Sequence, residues 1–171
     1  MKFLTRQLSA LLIVFITLSF FATTSAQSQN LTEVWKMKKF NIQWKSPAGW
    51  KFIIQEGKAK AWHENFPGIY IGLEKLSIDI NASTTAEQIA KTKFKDFLRL
   101  SPLVLSKKNL PQKGTLQKYK IVYHNDQRDN RVFVVLLNHK ASYCFVVDCI
   151  VSRKGDYMKI ADKIFESFTS Y

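Results

Sequence analysis

Two nearly continuous apolar runs late in the chain constrain its fold most. Residues 132–137 read Val-Phe-Val-Val-Leu-Leu, and residues 142–151 are almost as apolar. Each run has the length of a strand but lacks the alternation of a strand with one face in water. Strands of this kind are buried on both faces of a sheet. The chain therefore requires a sheet that other segments cover on both sides.

Amphipathic segments before and after these strands can supply the cover. Two overlapping capping boxes, Thr84 with Glu87 and Thr85 with Gln88, predict the start of a helix that ends near Ser101. A second helix is predicted close to the end of the chain. Apolar side chains recur there at helical spacing and form one buried stripe, which consists of Ile160, Ala161, Ile164, Phe165 and Phe168.

Short connections between the predicted strands indicate how the strands run. Residues 125–130 and 139–141 are brief polar links of the kind that join neighbouring strands as hairpins. The sheet is therefore expected to be mainly antiparallel. Helices on both faces of such a sheet form an α/β/α sandwich. The sequence thus predicts an α+β domain, an α/β/α sandwich with a mainly antiparallel sheet.

The first strands after the leader are expected to form a hairpin. Residues 37–44 alternate between apolar and polar side chains, as a half-buried strand does. The following Ser-Pro-Ala-Gly sequence is typical of a turn, because proline presets one backbone angle and glycine tolerates positive φ. Residues 50–55 are predicted to be the strand that returns beside the first.

A longer strand is predicted over residues 69–80, with one irregularity. Its apolar side chains change parity at Glu74 and Lys75. In a regular strand this change would turn the apolar side chains to the opposite face, so we expect a β-bulge or a bend at this point. Residues 103–111 connect the first helix to the later strands and show no decisive pattern.

The first 26 residues have the three-part layout of a secretory signal peptide. Lys2 and Arg6 precede an apolar stretch of fourteen residues, 8–21, and small residues lead to Ala26. The alternative is an uncleaved anchor, but a membrane-spanning helix needs about 20 apolar residues. We expect cleavage near Ala26, an extracytoplasmic protein (periplasmic or secreted) and no stable membrane anchor. The expected division is a signal peptide over 1–26, a flexible segment over 27–35 and one domain over 36–171.

The chain is strongly basic, with 26 lysines and arginines against 13 aspartates and glutamates. Loss of the leader leaves +11 of its net charge of +13. A charge of this sign favours anionic partners such as acidic proteins, anionic lipid or anionic polysaccharide. The alternative is that the lysines bind no partner and only keep the surface solvated, since they are dispersed along the chain. Nucleic acid is not expected, because no recognition motif is present.

Cys144 and Cys149 lie within one predicted strand. Their separation corresponds to roughly 16 Å along a strand, whereas a disulfide needs Cα atoms within about 7 Å. The odd separation also directs the two side chains to opposite faces of the sheet. We therefore predict two buried free thiols.

The sequence contains no recognisable set of catalytic or metal-binding residues. His63, His124 and His139 are scattered and lack the spacing of a zinc site, so strand-end positions are expected for them. Residues 125–130 lack the ligand spacing of a calcium loop and favour a polar turn. No Gly-x-Ser-x-Gly sequence or glycine-rich phosphate loop occurs. We expect a protein that is not an enzyme and binds no metal or cofactor.

Four residues around the first turn form the candidate partner-binding site. Trp44 and Trp50 flank the turn and alternate with Lys45 and Lys51. Tryptophan is enriched at interfaces because it combines a large apolar area with one donor. A basic aromatic rim would suit an acidic partner. The alternative is that both rings pack into the end of the core.

Three stretches of the chain resemble the PsbP-like superfamily, which includes PsbP, the eukaryotic Mog protein and the bacterial DcrB-like exported proteins. The opening stretch 40–50, Gly68 to Ile71, and the closing stretch 161–168 with its Ser-Phe ending carry the resemblance. The resemblance implies an α/β/α sandwich over residues 36–171 that acts as a binding or accessory subunit without chemistry of its own. Partners differ between members, so no particular partner is implied.

The expected function is therefore an extracytoplasmic accessory or binding domain that docks a protein or anionic partner through its basic surface. The alternative is a small-ligand or lipid carrier, with an apolar pocket of a few hundred Å³ between the first helix and the sheet. A hydrolase would instead require one of the histidines to meet carboxylates in a cleft.

Overall fold

The computed structural model describes residues 30–55, 57–63, 68–95, 99, 103–124 and 129–171. The predicted signal peptide, residues 1–26, lies outside them. The strands are β1 Glu33–Met37, β2 Ile42–Ser46, β3 Trp50–Gln55, β4 Lys58–His63, β5 Ile69–Leu76, β6 Val104–Lys113, β7 Leu116–His124, β8 Asp129–Asn138, β9 Tyr143–Ser152 and β10 Thr169–Ser170. The α-helices are α1 Ala86–Lys93 and α2 Tyr157–Ser167, and a 3-10 turn spans Lys38–Phe40.

Two sheets organise the chain. The larger has seven strands in the order β3-β4-β5-β9-β8-β7-β6, and the smaller has the order β1-β2-β10. Every neighbouring pair is antiparallel. The predicted α+β class, the mainly antiparallel sheet and the hairpins β7–β8 and β8–β9 are therefore confirmed. No described helix is long and apolar enough to cross a membrane.

One part of the core joins the large sheet to α2 and the small sheet. Alternate side chains of β8, namely Val132, Val134 and Leu136, are fully buried in this part. Helix α2 contributes the stripe that the sequence predicts, including Ile164 and Phe165, both fully buried. The inward-facing side chains of β1 and β2 complete this part of the core. Burial of this many large apolar groups holds the two sheets and α2 together.

A second part of the core joins the large sheet to α1. It contains the other side chains of β8, Phe133, Val135 and Leu137, and the ring of Phe94 stacks on Phe133 with 3.9 Å between centroids. The helix begins at the capping box of Thr85 and Gln88, one of the two that the sequence offers. The Thr85 side chain accepts from the Gln88 N–H at 3.1 Å, and Gln88 Oε1 accepts from the Thr85 N–H at 2.9 Å.

The predicted hairpin between residues 37–44 and 50–55 is wrong. The 3-10 turn and Asn41, whose φ is 49°, reverse the chain, so residues 37–44 fall into two antiparallel strands, β1 and β2. Strand β3 then pairs with β4 instead. The turn after Ser46 carries the chain from the small sheet to the large one. Residues 33–35, within the segment predicted to be flexible, lie in β1.

The predicted irregularity at Glu74 and Lys75 is also wrong. Strand β5 pairs with β9 in unbroken register from Ile69 to Leu76 and ends there. Leu76 differs in parity from Leu73 because it packs against the core part that α1 covers, whereas Leu73 belongs to the other part. Residues 104–113, for which the sequence shows no decisive pattern, form the edge strand β6.

Both cysteines are free and fully buried. Cys144 belongs to the core part with α1, and Cys149 belongs to the part with α2. The predicted placement of the two thiols on opposite faces of β9 is therefore confirmed.

Candidate functional site

The two tryptophans of the predicted partner-binding site lie in the core. Trp44 is 2% exposed and Trp50 is 4% exposed. The Trp44 ring stacks on Phe168 with 5.3 Å between centroids, and both tryptophans lie beside Phe52. The expectation of an exposed aromatic rim is wrong for these rings. The alternative, that they fill the end of the core, describes the structure.

The two lysines of that site are exposed, but they lie on different surfaces. Lys45 follows Trp44 in β2 and therefore points away from the core, on the outer side of the small sheet. Lys51 lies between Trp50 and Phe52 in β3, so it points to the opposite face of the large sheet. The four predicted residues therefore do not form one rim, because neighbouring side chains of a strand alternate between its faces.

Lys45 borders a shallow depression of about 330 Å³ on the outer side of the small sheet. Val34, Lys36 and Thr169 also line this depression. The Nζ atom of Lys36 lies 5.3 Å from the ring centroid of Tyr171, a cation–π arrangement. The depression is basic, and the side chain of Val34 is about half exposed beside it.

Lys51 belongs to a different surface, on the part of the large sheet formed by β3, β4, β5 and β9. The register sets Lys51 opposite Trp62, Trp62 opposite Tyr70, and Tyr70 opposite Ile150, so the four form one row across the strands. A second row begins with Ile53 opposite Lys60. We call this surface the open face, and it comprises Lys51, Ile53, Lys60, Trp62, Tyr70 and Ile150.

The sequence of β4 contains a local signal for the open face. Strand β4 reads Lys-Ala-Lys-Ala-Trp-His, and its alanines are buried while its lysines are exposed. Trp62 has the parity of the lysines, and an aromatic ring on the polar side of a strand indicates a contact surface. Tyr70 has the corresponding position in β5.

Two ion pairs lie at the borders of the open face. Arg131 donates two hydrogen bonds to Asp148, at 2.8 and 2.6 Å, in bidentate geometry. Lys58 Nζ lies 2.9 Å from a carboxylate oxygen of Glu74. Both carboxylates on these strands are therefore engaged by a cation of the same face. Lys60 forms no ion pair with any residue that the structure describes.

A depression next to α1 has the volume that the carrier hypothesis expects, but residues 77–84 rather than the sheet form most of its second wall. It measures about 430 Å³ and lies between α1 and residues 76–84. Leu76, Ile78 and Ile89 supply apolar surface, but the other seven lining residues are polar. Beneath α2, a gap of about 10 Å³ next to Trp44 has room for about one water molecule at most.

The histidines lie at strand ends, as predicted. His63 ends β4 and His124 ends β7, with three strands between these two in the sheet, and His139 follows β8. Nδ1 of His124 lies 3.0 Å from Oδ1 of Asn130. In the described part of the chain, no group of three or more His, Cys, Asp and Glu side chains could hold a metal ion.

The two buried thiols lack the properties of a nucleophilic cysteine. Burial raises the pKa of Cys144 to about 12 and holds the pKa of Cys149 well above its usual range. A reactive thiol needs the opposite shift and access to solvent.

Two buried lysines tie α2 to β7, and the sequence did not reveal them. Lys118 Nζ donates to the carbonyl oxygens of Glu166 at 2.9 Å and Phe168 at 3.1 Å, and so satisfies the end of the helix. Lys120 Nζ lies 2.6 Å from Oδ1 of Asp162. Burial lowers the pKa of Lys118 to about 8.

Comparison with known proteins places the chain by its fold. No protein-family model and no curated protein sequence matches it. Solved structures do: cyanobacterial PsbP (CyanoP) from Synechocystis sp. PCC 6803 matches with TM-score 0.55 and 12% identity, over 86% of this chain and 96% of that chain. The fold is PsbP-like. The resemblance inferred from the sequence is thus confirmed at the level of the fold.

Two further structures share this PsbP-like fold. The Ran-binding protein Mog1p of Saccharomyces cerevisiae has TM-score 0.55 and 9% identity, over 82% of this chain and 96% of that chain. A protein from Bacteroides thetaiotaomicron has TM-score 0.52 and 12% identity over 83% of this chain. The chain spans about half the length of that protein (49%). At these identities the likeness concerns the fold alone.

Proposed function

We propose that the protein is an extracytoplasmic, non-enzymatic binding or accessory domain that docks a protein or anionic partner through its basic surface. The observation that carries the proposal is an excess of cations that the chain cannot neutralise itself, with 26 lysines and arginines against 13 carboxylate side chains. Lys45, Lys51 and Lys60 are among the exposed lysines. A surface of this kind attracts anionic partners over a distance of about one Debye length, roughly 8–10 Å.

The fold supports a binding role. Mog1p is a Ran-binding protein, so at least one protein of this fold acts by binding another. We also infer that residues 36–171 form one α/β/α sandwich. This is supported by the alternation along β8, where successive side chains pack with α2 in one part of the core and with α1 in the other.

The extracytoplasmic location rests on the leader, residues 1–26. Cleavage near Ala26 would release a chain that starts with a polar segment and keeps nearly all of the positive charge. Amino-terminal sequencing of the exported protein checks this part, and an intact leader would contradict it.

Affinity capture tests the docking function. The exported protein, purified as its host processes it, is immobilised and exposed to the host's extracytoplasmic extract at low and at high salt. We expect a partner that is retained at low salt and released at high salt, because screening weakens contacts between exposed charges. If no retained partner responds to salt, the proposal is wrong.

A further inference from the structure

We propose that the open face is the docking site and that its partner is an acidic protein. This rests on the proposed function, since it names the surface and the class of partner for the same docking role. The argument depends on three properties of this face: its exposed apolar side chains, its cations and its place in the sheet.

The open face exposes large apolar side chains in neighbouring positions. Ile53 is 48% exposed, Tyr70 is 42% exposed and Ile150 is 39% exposed. Tyr70 and Ile150 are direct cross-strand partners, and Trp62 lies next to Tyr70 on the other side. Single exposed apolar residues are common, but a contiguous group with a polar border indicates an interaction site.

The place of these residues in the sheet explains why they stay exposed. On this face α1 packs against β7 and β8. Among the described apolar residues of β3, β4 and β5, Leu76 at the end of β5 is the one that packs against the core part that α1 covers. The other face of these three strands lies against α2 and the small sheet, and its alanines and Ile71 are buried. The helices that the structure describes therefore leave most of this half of the sheet face uncovered.

The charges of this face select an acidic partner. Lys51 and Lys60 stand beside the apolar rows, and both are exposed. The carboxylates that the structure describes on this face, Asp148 and Glu74, already contact Arg131 and Lys58. Carboxylates of a partner would therefore meet lysines and little repulsion, which favours fast and specific association.

The apolar side chains favour a protein over an anionic polysaccharide. Ile53 and Ile150 offer aliphatic surface, which gains free energy when apolar side chains of another protein cover it. The aromatic pair Trp62 and Tyr70 matches the residue types that dominate protein interfaces. A second copy of this chain is disfavoured, because two chains without the leader, with a net charge of +11 each, repel one another.

The test uses a defined acidic polypeptide, a random copolymer of glutamate and tyrosine, with heparin as the anionic polysaccharide. Binding to the exported protein is measured by fluorescence anisotropy for the wild type and two charge-reversal variants. Lys51→Glu with Lys60→Glu alters the open face. Lys107→Glu with Lys108→Glu changes the net charge equally on β6, an exposed strand at the opposite edge of the sheet.

We expect the open-face variant to bind the copolymer at least tenfold more weakly and the β6 variant less than threefold more weakly. Tyr70→Ser should weaken binding several-fold, whereas Leu105→Ser, at a position 44% exposed on β6, should not. Circular dichroism and thermal unfolding identify any variant that fails to fold, and Ile150→Ser then replaces Tyr70→Ser as the apolar test.

The other outcomes separate this proposal from the general docking function. Equal weakening by both charge variants overturns the open face but leaves a basic docking surface in place. Heparin binding that is tighter than copolymer binding, and that depends on Lys51 and Lys60, overturns the protein partner. If the wild type binds neither polymer at low salt, the open face and the proposed function both fail.

Discussion

Lys118 provides a prediction that follows directly from a buried charge. Its ammonium group is almost fully enclosed, and its pKa in the folded protein is about 8, against 10.5 for an exposed lysine. Desolvation is the largest cause, because burial penalises the charged form. The two carbonyl oxygens at the end of α2 offset only part of this cost. The substitution Lys118→Met removes both the charge and the hydrogen bonds.

The sign of the pH dependence follows from the protons that each state binds. Between about pH 8 and about pH 10.5 the unfolded state holds a proton on Lys118 that the folded state has lost, so folded-state stability rises with pH. The stabilisation that the neutral Lys118 side chain provides is fully present above the pKa of Lys118 in the unfolded chain. It is lost as pH falls through the pKa of Lys118 in the folded protein, about 8. The pKa difference corresponds to about 3 kcal/mol over the whole interval.

The buried thiols act in the opposite direction over the same interval. The raised pKa of Cys144 gives stability that is present below its unfolded pKa and is lost as pH rises towards about 12. The wild-type curve alone therefore does not isolate Lys118. Both thiols are present in the variant as well, so the difference between the two proteins cancels their contribution.

The assay is urea unfolding, followed by tryptophan fluorescence, for the wild type and Lys118→Met between about pH 7 and about pH 10. We expect the free energy of unfolding of the wild type, minus that of the variant, to increase by about 2–3 kcal/mol over this range. Lys108→Met removes an exposed charge from the neighbouring strand and is the control for net charge. A difference that stays constant or decreases with pH would refute the account of Lys118.

Two further predictions concern the cysteines and the first helix. Cys144 and Cys149 should not react with iodoacetamide in the folded protein and should both react in guanidinium chloride; modification of the folded protein would contradict their burial. Thr85→Ala should lower the free energy of unfolding by about 1 kcal/mol in urea, because it removes the cap of α1. Thr84→Ala should lower it by less, since Thr84 bonds only within the preceding turn; equal losses would place the helix start elsewhere.

The parts of the fold that the sequence predicts well are those with a local physical signature. The apolar runs of β8 and β9 require burial on both faces, and the polar links around them require hairpins. The capping box of Thr85 and the stripe of α2 mark helices in the same local way. These features depend only on residues close together in the chain, so they do not require knowledge of which elements meet.

The parts that failed depend on tertiary choices with no local signature. A Ser-Pro-Ala-Gly turn suits a hairpin and a crossing between sheets equally, so this turn does not determine which strand pairs with β3. Leu76 appears out of phase because one strand contributes to two parts of the core. Strand β6 carries Lys107, Lys108 and Pro111, which hinder the pairing of this exposed sheet edge with another chain. The same residues interrupt the apolar alternation by which a strand is recognised in a sequence.

The candidate site shows the same limit. Tryptophan beside lysine predicts a contact surface only if both side chains share a face, and alternation separates Trp44 from Lys45 and Trp50 from Lys51. To predict that Trp62 and Tyr70 lie side by side, one must know that β4 pairs with β5. No single stretch of the sequence contains that information. Lys118 and Lys120 look like surface lysines until the end of α2 covers them.

Site-specific photo-crosslinking tests the central claim most directly. The crosslinker p-benzoylphenylalanine is placed at Tyr70 on the open face or at Leu105 on β6, positions that are 42% and 44% exposed. Each variant is exported in its own host and irradiated in place. We expect an adduct with an acidic protein from position 70 and none from position 105. Equal adducts from both positions, or no protein adduct from position 70, would contradict the claim.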